Sequence, residues 1–147
     1  MSEQRQLIEF LAMFDLVHSK ASEDVILDFH TKNKLITGVC HGPATFSRLT
    51  LPGTKTMLLH GHTVTGVSNK ECEMLFPVSG IVEPFSVEDK LNKATGGQYE
   101  RAEPFNSRVV VSKGPDGRVV ITGQNPASGM NLGKAIYEKL FGKPYTG

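Results

Sequence analysis

The chain has 147 residues, enough for one compact domain with its own core and too few for a second. Hydrophobic residues make up 39% and charged residues 21%, ordinary globular proportions that exclude a low-complexity or fibrous chain. The net charge of +1 comes from 16 basic and 15 acidic side chains mixed along the sequence, which leaves no basic stripe for nucleic acid and no acidic tail.

The first residues, Met1-Ser2-Glu3-Gln4-Arg5-Gln6, lack the charged-then-apolar order of a secretory signal. The longest apolar runs, such as Met57-Leu58-Leu59, are too short to span a bilayer, so no membrane partner is expected. Ser22 is expected to cap a helix through about Lys32, with Val25, Ile26 and Phe29 at helical spacing and Asn33 suited to its end. Leu35-Ile36-Thr37-Gly38-Val39 reads as a buried strand, and Pro43 opens a new helix at the first-turn position, where its missing N–H is harmless.

Leu51-Pro52-Gly53-Thr54 reads as a turn and Thr63-Val64-Thr65-Gly66-Val67 as a strand. Ser68-Asn69-Lys70-Glu71 has the form of a capping box, whose helix should end near Pro77. Ser86 caps the next helix, with Glu88 and Asp89 in its first turn and Gly96-Gly97 beyond its end. Val109-Val110-Val111 and Arg118-Val119-Val120-Ile121-Thr122 flank Gly114-Pro115-Asp116-Gly117, a hairpin signal. Leu132, Ile136 and Leu140 then repeat at helical spacing before Gly142 and Pro144. Strands and helices largely alternate, which predicts a single α/β domain with a mainly parallel sheet and one hairpin.

Cys40 and Cys72 form neither a Cys-x-x-Cys pair nor a zinc-ligand spacing, so they read as reduced thiols of a cytoplasmic, or additionally nuclear, protein. Gly38-Val39-Cys40-His41-Gly42 follows a predicted strand and precedes a predicted helix. That is the glycine-flanked elbow of a nucleophile, with cysteine at its tip. Side chains at the flanking positions are expected to clash in so tight a turn. The helix is expected to aim its N-terminal amides at the sulfur, a setting that lowers a thiol pKa from about 8.5. Outside that context, a lone cysteine reads as a small core hydrophobe.

His41 is a candidate acid or base, a donor of its backbone N–H to an oxyanion, or a solvated cap. His60 and His62 would share one face of a strand, but no further ligands at metal-binding spacing accompany them, and a polar edge or loop is the favoured reading. Glu71 has its place in the capping box and can also orient a histidine. Glu73 lies beside it, and Cys72 between them is expected to be buried and inert. Thr122-Gly123-Gln124-Asn125-Pro126-Ala127-Ser128 links a strand to a helix, at the sheet edge where α/β proteins bind ligands.

Val39-Cys40-His41-Gly42-Pro43-Ala44 resembles the nucleophile segment of the PfpI-like superfamily, related to the class I glutamine amidotransferases. Met13-Phe14-Asp15-Leu16, Val64-Thr65-Gly66-Val67-Ser68-Asn69, Pro84-Phe85 with Glu88-Asp89, Gly97-Gln98-Tyr99 and the 122–128 segment resemble its glutathione-independent glyoxalase (glyoxalase III) branch. The resemblance implies a flavodoxin-like sandwich and the conversion of methylglyoxal and water to D-lactate, with no cofactor and no metal. Cys40 would be the nucleophile and His41 its acid/base or oxyanion partner; the family's carboxylate partner of the histidine falls near Cys72, which leaves Glu71 or Glu73 as neighbouring candidates for an orienting carboxylate rather than matches. Gly42, Asn125 and Pro126 would face a small dicarbonyl substrate.

Two departures accompany the resemblance. The family's first strands, one ending in the glutamate that serves as base, have no match here. Its glycine-rich loop is replaced by Ile8-Glu9-Phe10-Leu11-Ala12, so no base is carried over. The chain therefore reads as an N-terminally incomplete domain, expected to be weakly stable or to pair with itself through exposed sheet edges. The alternatives from other classes are a non-catalytic, chaperone-like stress module and a cysteine amidase or peptidase of the same superfamily.

Overall fold

The computed structural model describes residues 12–80 and 82–146. The N-terminal signal reading and most of the replaced glycine loop, including Glu9, lie outside the described residues. Helix α1 spans Lys20–Thr31 and is capped one turn earlier than predicted: Ser19 Oγ accepts the amide of Ser22 at 3.3 Å, so Ser22 lies inside the first turn. Asn33, at φ 54°, turns the chain out of the helix toward strand β1, Ile36–Val39.

Strands β2 (Val109–Lys113) and β3 (Val119–Gly123) form the predicted hairpin around the 114–117 turn. The sheet of the described residues has the order β1-β3-β2, with β3 central. β1 runs parallel to β3, pairing Ile36 with Val120 and Val39 with Gly123, while β2 is antiparallel to it. One parallel and one antiparallel pair make the sheet mixed within an α/β fold.

Residues 63–67 are not a sheet strand. Their amides are taken by side-chain hydroxyls and a neighbouring loop: Thr63 N–H donates to Ser112 Oγ at 3.0 Å, Thr65 N–H to Thr122 Oγ1 at 2.9 Å, and Val64 pairs with Tyr99 as an isolated bridge. The segment therefore crosses the sheet as extended chain and ends at Ser68. There the predicted capping box forms, with Ser68 Oγ accepting from Glu71 N–H and Glu71 accepting from Ser68 N–H, and it opens helix α2, Asn69–Ser79. This helix continues past Pro77, whose missing N–H removes one i→i−4 bond in the last turn, and stops at Gly80 in the left-handed conformation.

Helix α3, Val87–Thr95, is capped by Ser86 as expected, and helix α4, Gly129–Phe141, ends at Gly142. Met13, Ile36, Phe46, Leu59, Val64, Val67, Leu91 and Val120 meet in one core. Each such side chain contributes about 1.5–3 kcal/mol by leaving water. In α4 the predicted apolar spacing is anchored only at its start: Leu132 is buried, Ile136 half-buried and Leu140 exposed. No helix of the described residues is long and apolar enough to cross a membrane.

Candidate active site

Cys40 directly follows β1 with φ 58°, a left-handed backbone that costs an L-residue about 1–2 kcal/mol. Two hydrogen bonds hold it there. Its amide donates to Gly123 O on β3 at 3.0 Å, and its carbonyl accepts from Val67 N–H at 2.9 Å. The nucleophile elbow is thus pinned between the central strand and the segment that leads to α2.

The two flanking glycines differ. A Cβ on Gly38 would lie 3.1 Å from Pro43 N and 3.2 Å from the Phe46 ring, so crowding requires glycine there. A Cβ on Gly42 would meet no atom of the described residues within 4 Å, so among them the expected clash does not arise. The α-helix expected after Pro43 is a single 3₁₀ stretch, Gly42–Phe46, its carbonyls accepting from amides three residues on and from Thr45 Oγ1. A helix this short has little macrodipole, so the surroundings of the sulfur are set by side chains instead.

The first of these is His41. Cys40 Sγ and His41 Nδ1 are 3.2 Å apart, with Cys40 5% and His41 1% exposed. Burial pushes the His41 imidazole down to about 4, and the charge of Glu71 opposes that shift. At neutral pH the ring is uncharged, and in the tautomer protonated at Nε2 its Nδ1 accepts the thiol proton. The Phe76 ring meets His41 edge-on, 6.1 Å between centroids. The pairing is a thiol and a neutral base, drawn together in a dry environment.

Glu71 is buried as deeply, 1% exposed, and its carboxylate accepts five hydrogen bonds from the described residues. Oε2 accepts from Ser68 N–H (2.9 Å), Ser68 Oγ (2.7 Å) and Gln124 Nε2 (3.0 Å), and Oε1 from Phe105 N–H (2.9 Å) and Asn125 Nδ2 (2.8 Å). Burial raises its pKa, but the hydrogen bonds from Ser68, Asn125 and Phe105 outweigh that and hold the carboxyl below its ordinary value. The sequence offers Glu71 either as a cap or as an orienting carboxylate; the structure makes it the cap and places its charge where His41 feels it.

The other sequence-derived candidates separate. Glu73 is exposed on α2, where it lines the cleft described below. Asn125 is buried, its amide committed to Glu71 and to Asn106 O at 2.8 Å, while Pro126 next to it is exposed. His60 and His62 lie in a turn rather than on one strand face, His60 exposed and His62 buried. Among the described residues no group of three His, Cys, Asp or Glu side chains is arranged to hold a metal ion. Cys72 is buried, as expected, and burial pushes its thiol up.

An open cleft of about 740 Å³ lies along α2, lined by Asn69, Cys72, Phe76, Val82, Glu83 and Ser86, among others. Phe76 belongs to both the cleft lining and the His41 contact, whereas Cys40 and His41 do not line the cleft themselves. Phe76 and Gln124 were not singled out from the sequence. Gln124 stood in plain view within the 122–128 segment, but a side chain's partner 53 residues away leaves no local signal.

No family model matches the chain. It is 30% identical over 119 residues to the glutathione-independent glyoxalase HSP31 of Saccharomyces cerevisiae, a match covering 79% of this chain and 48% of that protein. It is 27% identical over 127 residues to glyoxalase 3 of Candida albicans, covering 84% and 51%. Rapid encystment protein 24 kDa of Francisella tularensis superimposes with a TM-score of 0.77 at 32% identity, over 90% of this chain and 55% of that one. Glyoxalase III of Candida albicans does so with a TM-score of 0.66 at 25% identity, over 84% and 51%. The chain spans about half the length of the relatives it matches. With the cysteine elbow on such a sheet, the chain shares the PfpI-type fold of these structures and is similar in sequence to glutathione-independent glyoxalases over about half of their length.

Proposed function

We propose that this domain carries the cysteine centre of a glutathione-independent glyoxalase, which converts methylglyoxal and water to D-lactate. The observation that carries the reading is the 3.2 Å approach of Cys40 Sγ to His41 Nδ1 on a left-handed elbow at the end of β1. The names of the relatives supply the substrate class.

In this reading Cys40 sulfur adds to the aldehyde carbon, His41 takes the thiol proton, and the carbonyl oxygen becomes the hydroxyl of a hemithioacetal. The proton on that carbon then moves to its neighbour through an enediol, leaving a thioester beside a new secondary alcohol. Water displaces the sulfur, releasing lactate and returning the proton to the thiol. Each imidazolium formed along the way is stabilised by the buried charge of Glu71. Gly42, with no atom of the described residues within 4 Å of where its Cβ would stand, would leave room among them for the small dicarbonyl beside the sulfur.

Purified protein incubated with methylglyoxal and no glutathione should form D-lactate, and Cys40→Ala should abolish it. Turnover that survives Cys40→Ala overturns the mechanism. A second reading, a client-binding stress module, draws on the exposed Val25, Phe29, Leu140 and Phe141. Suppression of client aggregation that is indifferent to Cys40, with no lactate formed, would favour it.

A further inference from the structure

Capping α2 needs only Oε2 of Glu71 and the two groups of Ser68, yet the carboxylate is also gripped from a distant part of the chain. Gln124, wholly buried at the end of β3, donates from Nε2 to Oε2, and Asn125 beside it donates from Nδ2 to Oε1. Neither amide is free to turn its oxygen toward Glu71. Gln124 Oε1 accepts the amide of Ala102 at 2.7 Å, and Asn125 Oδ1 accepts from Ser128 Oγ at 3.2 Å while its Nδ2 also serves Asn106 O. With Phe105 N–H and Ser68 N–H on the remaining lone pairs, the carboxyl is ringed almost entirely by donors. Such a shell fits an anion and leaves a protonated carboxyl with little to receive its hydrogen, the Ser68 hydroxyl excepted.

From this geometry we propose that Gln124 and Asn125 are positioning residues that keep Glu71 an anion, and through it set the proton affinity of the Cys40–His41 pair. The inference deepens the cysteine-centre reading and rests on it for its consequence in catalysis. The titratable groups that feel Glu71 are His41 from the elbow, Cys72 on its own helix and Tyr99 from the segment after α3. Of the charged side chains on the packed 101–108 segment, Arg101 is paired with Glu88, Arg108 with Glu100, and Glu103 is exposed. None of these supplies a counter-charge in place of the amides.

The test follows the Glu71 carboxyl by its ¹³C resonance and Cys40 by its rate of alkylation with iodoacetamide, both across pH. In wild type Glu71 should titrate below the ordinary carboxylate range. Gln124→Met and Asn125→Ala each remove one donor and should raise the Glu71 titration by about one pH unit or more, and the inflection of Cys40 alkylation should move with it. Folded variants whose two profiles superimpose on wild type would overturn the proposal, as would a wild-type Glu71 that titrates in or above the ordinary range, a result that needs no variant. Neither readout uses methylglyoxal. Shifted profiles without D-lactate production sink the glyoxalase reading alone, and lactate production with unshifted profiles sinks the positioning role alone.

Discussion

The carbonyl of Cys40 accepts the amide of Val67 at 2.9 Å, so the left-handed backbone of the nucleophile and the residue preceding the Ser68 cap form one hydrogen-bonded unit. Through this unit the elbow is coupled to the start of α2 and hence to Glu71.

Glycine at position 66, between these two elements, is required by space. An added Cβ would lie 2.7 Å from Leu91 Cδ1 and 3.2 Å from the Cys40 carbonyl oxygen. Gly66→Ala should therefore destabilise the fold by about 1–3 kcal/mol in urea denaturation and slow alkylation of Cys40. Gly38→Ala should behave alike. Gly42→Ala meets no atom of the described residues and should leave the stability within about 0.5 kcal/mol of wild type in urea denaturation. A large loss of stability in Gly42→Ala would show that the space above this residue is not open.

Stability should fall on acidification before the carboxylates titrate. Burial pushes His41 down to about 4 from 6.5, so the unfolded chain takes up a proton on this ring at a higher pH than the folded one. The stabilisation from keeping the ring neutral is complete above 6.5 and drains away as pH falls toward about 4, by about 3 kcal/mol at most. Burial lowers His30 and His62 as well, and both add in the same direction. Urea midpoints measured at about pH 7 and about pH 5 should drop for wild type and drop less for His41→Gln. An equal drop in the two proteins would remove His41 from the account.

The hairpin turn is seated on a buried imidazole. A Cβ on Gly114 would lie 2.3 Å from His62 Nε2, and neither the strand end nor the enclosed ring has room to yield. Gly114→Ala should cost at least about 2 kcal/mol. Gly133→Ala, in the middle of α4 with no atom of the described residues within 4 Å of the new methyl, should instead stabilise by about 0.5–1 kcal/mol. Thermal melts of the two variants should therefore move in opposite directions.

Helix α4 leaves Met130, Leu140 and Phe141 exposed, and α1 exposes Val25 and Phe29. Surfaces of this kind associate. Sedimentation of the purified chain should show concentration-dependent assembly, and Phe141→Lys with Leu140→Lys should shift it toward monomer. A chain that stays monomeric at every concentration tested would contradict this expectation.

What could be read without coordinates was what depends on neighbours in sequence. The Ser68–Glu71 capping box, the Ser86 cap and the turn at residues 114–117 are each closed by bonds spanning two to four residues, so composition at fixed offsets announces them. The elbow was legible for the same reason, as glycines in register with a strand end. Local patterning misled where a second partner intervened: residues 63–67 have the β-branched look of a strand, but Ser112 and Thr122 take amides that a ladder would otherwise use. Ser19 displaced Ser22 as a cap because both types fit the position and only the path of the preceding chain chooses between them.

The charge of the site was decided by tertiary structure alone. A glutamate in a capping box is ordinarily a solvated surface residue, and nothing within several residues of Glu71 says that it will be sealed from water. Gln124 and Asn125 meet it only because β3 ends beside the start of α2, bringing together groups 53 and 54 residues apart. Sequence determined which groups this protein could use, since short-range hydrogen bonds have few alternatives. Folding determined which of them are dry, and a group out of water has its protonation set by the donors and charges around it.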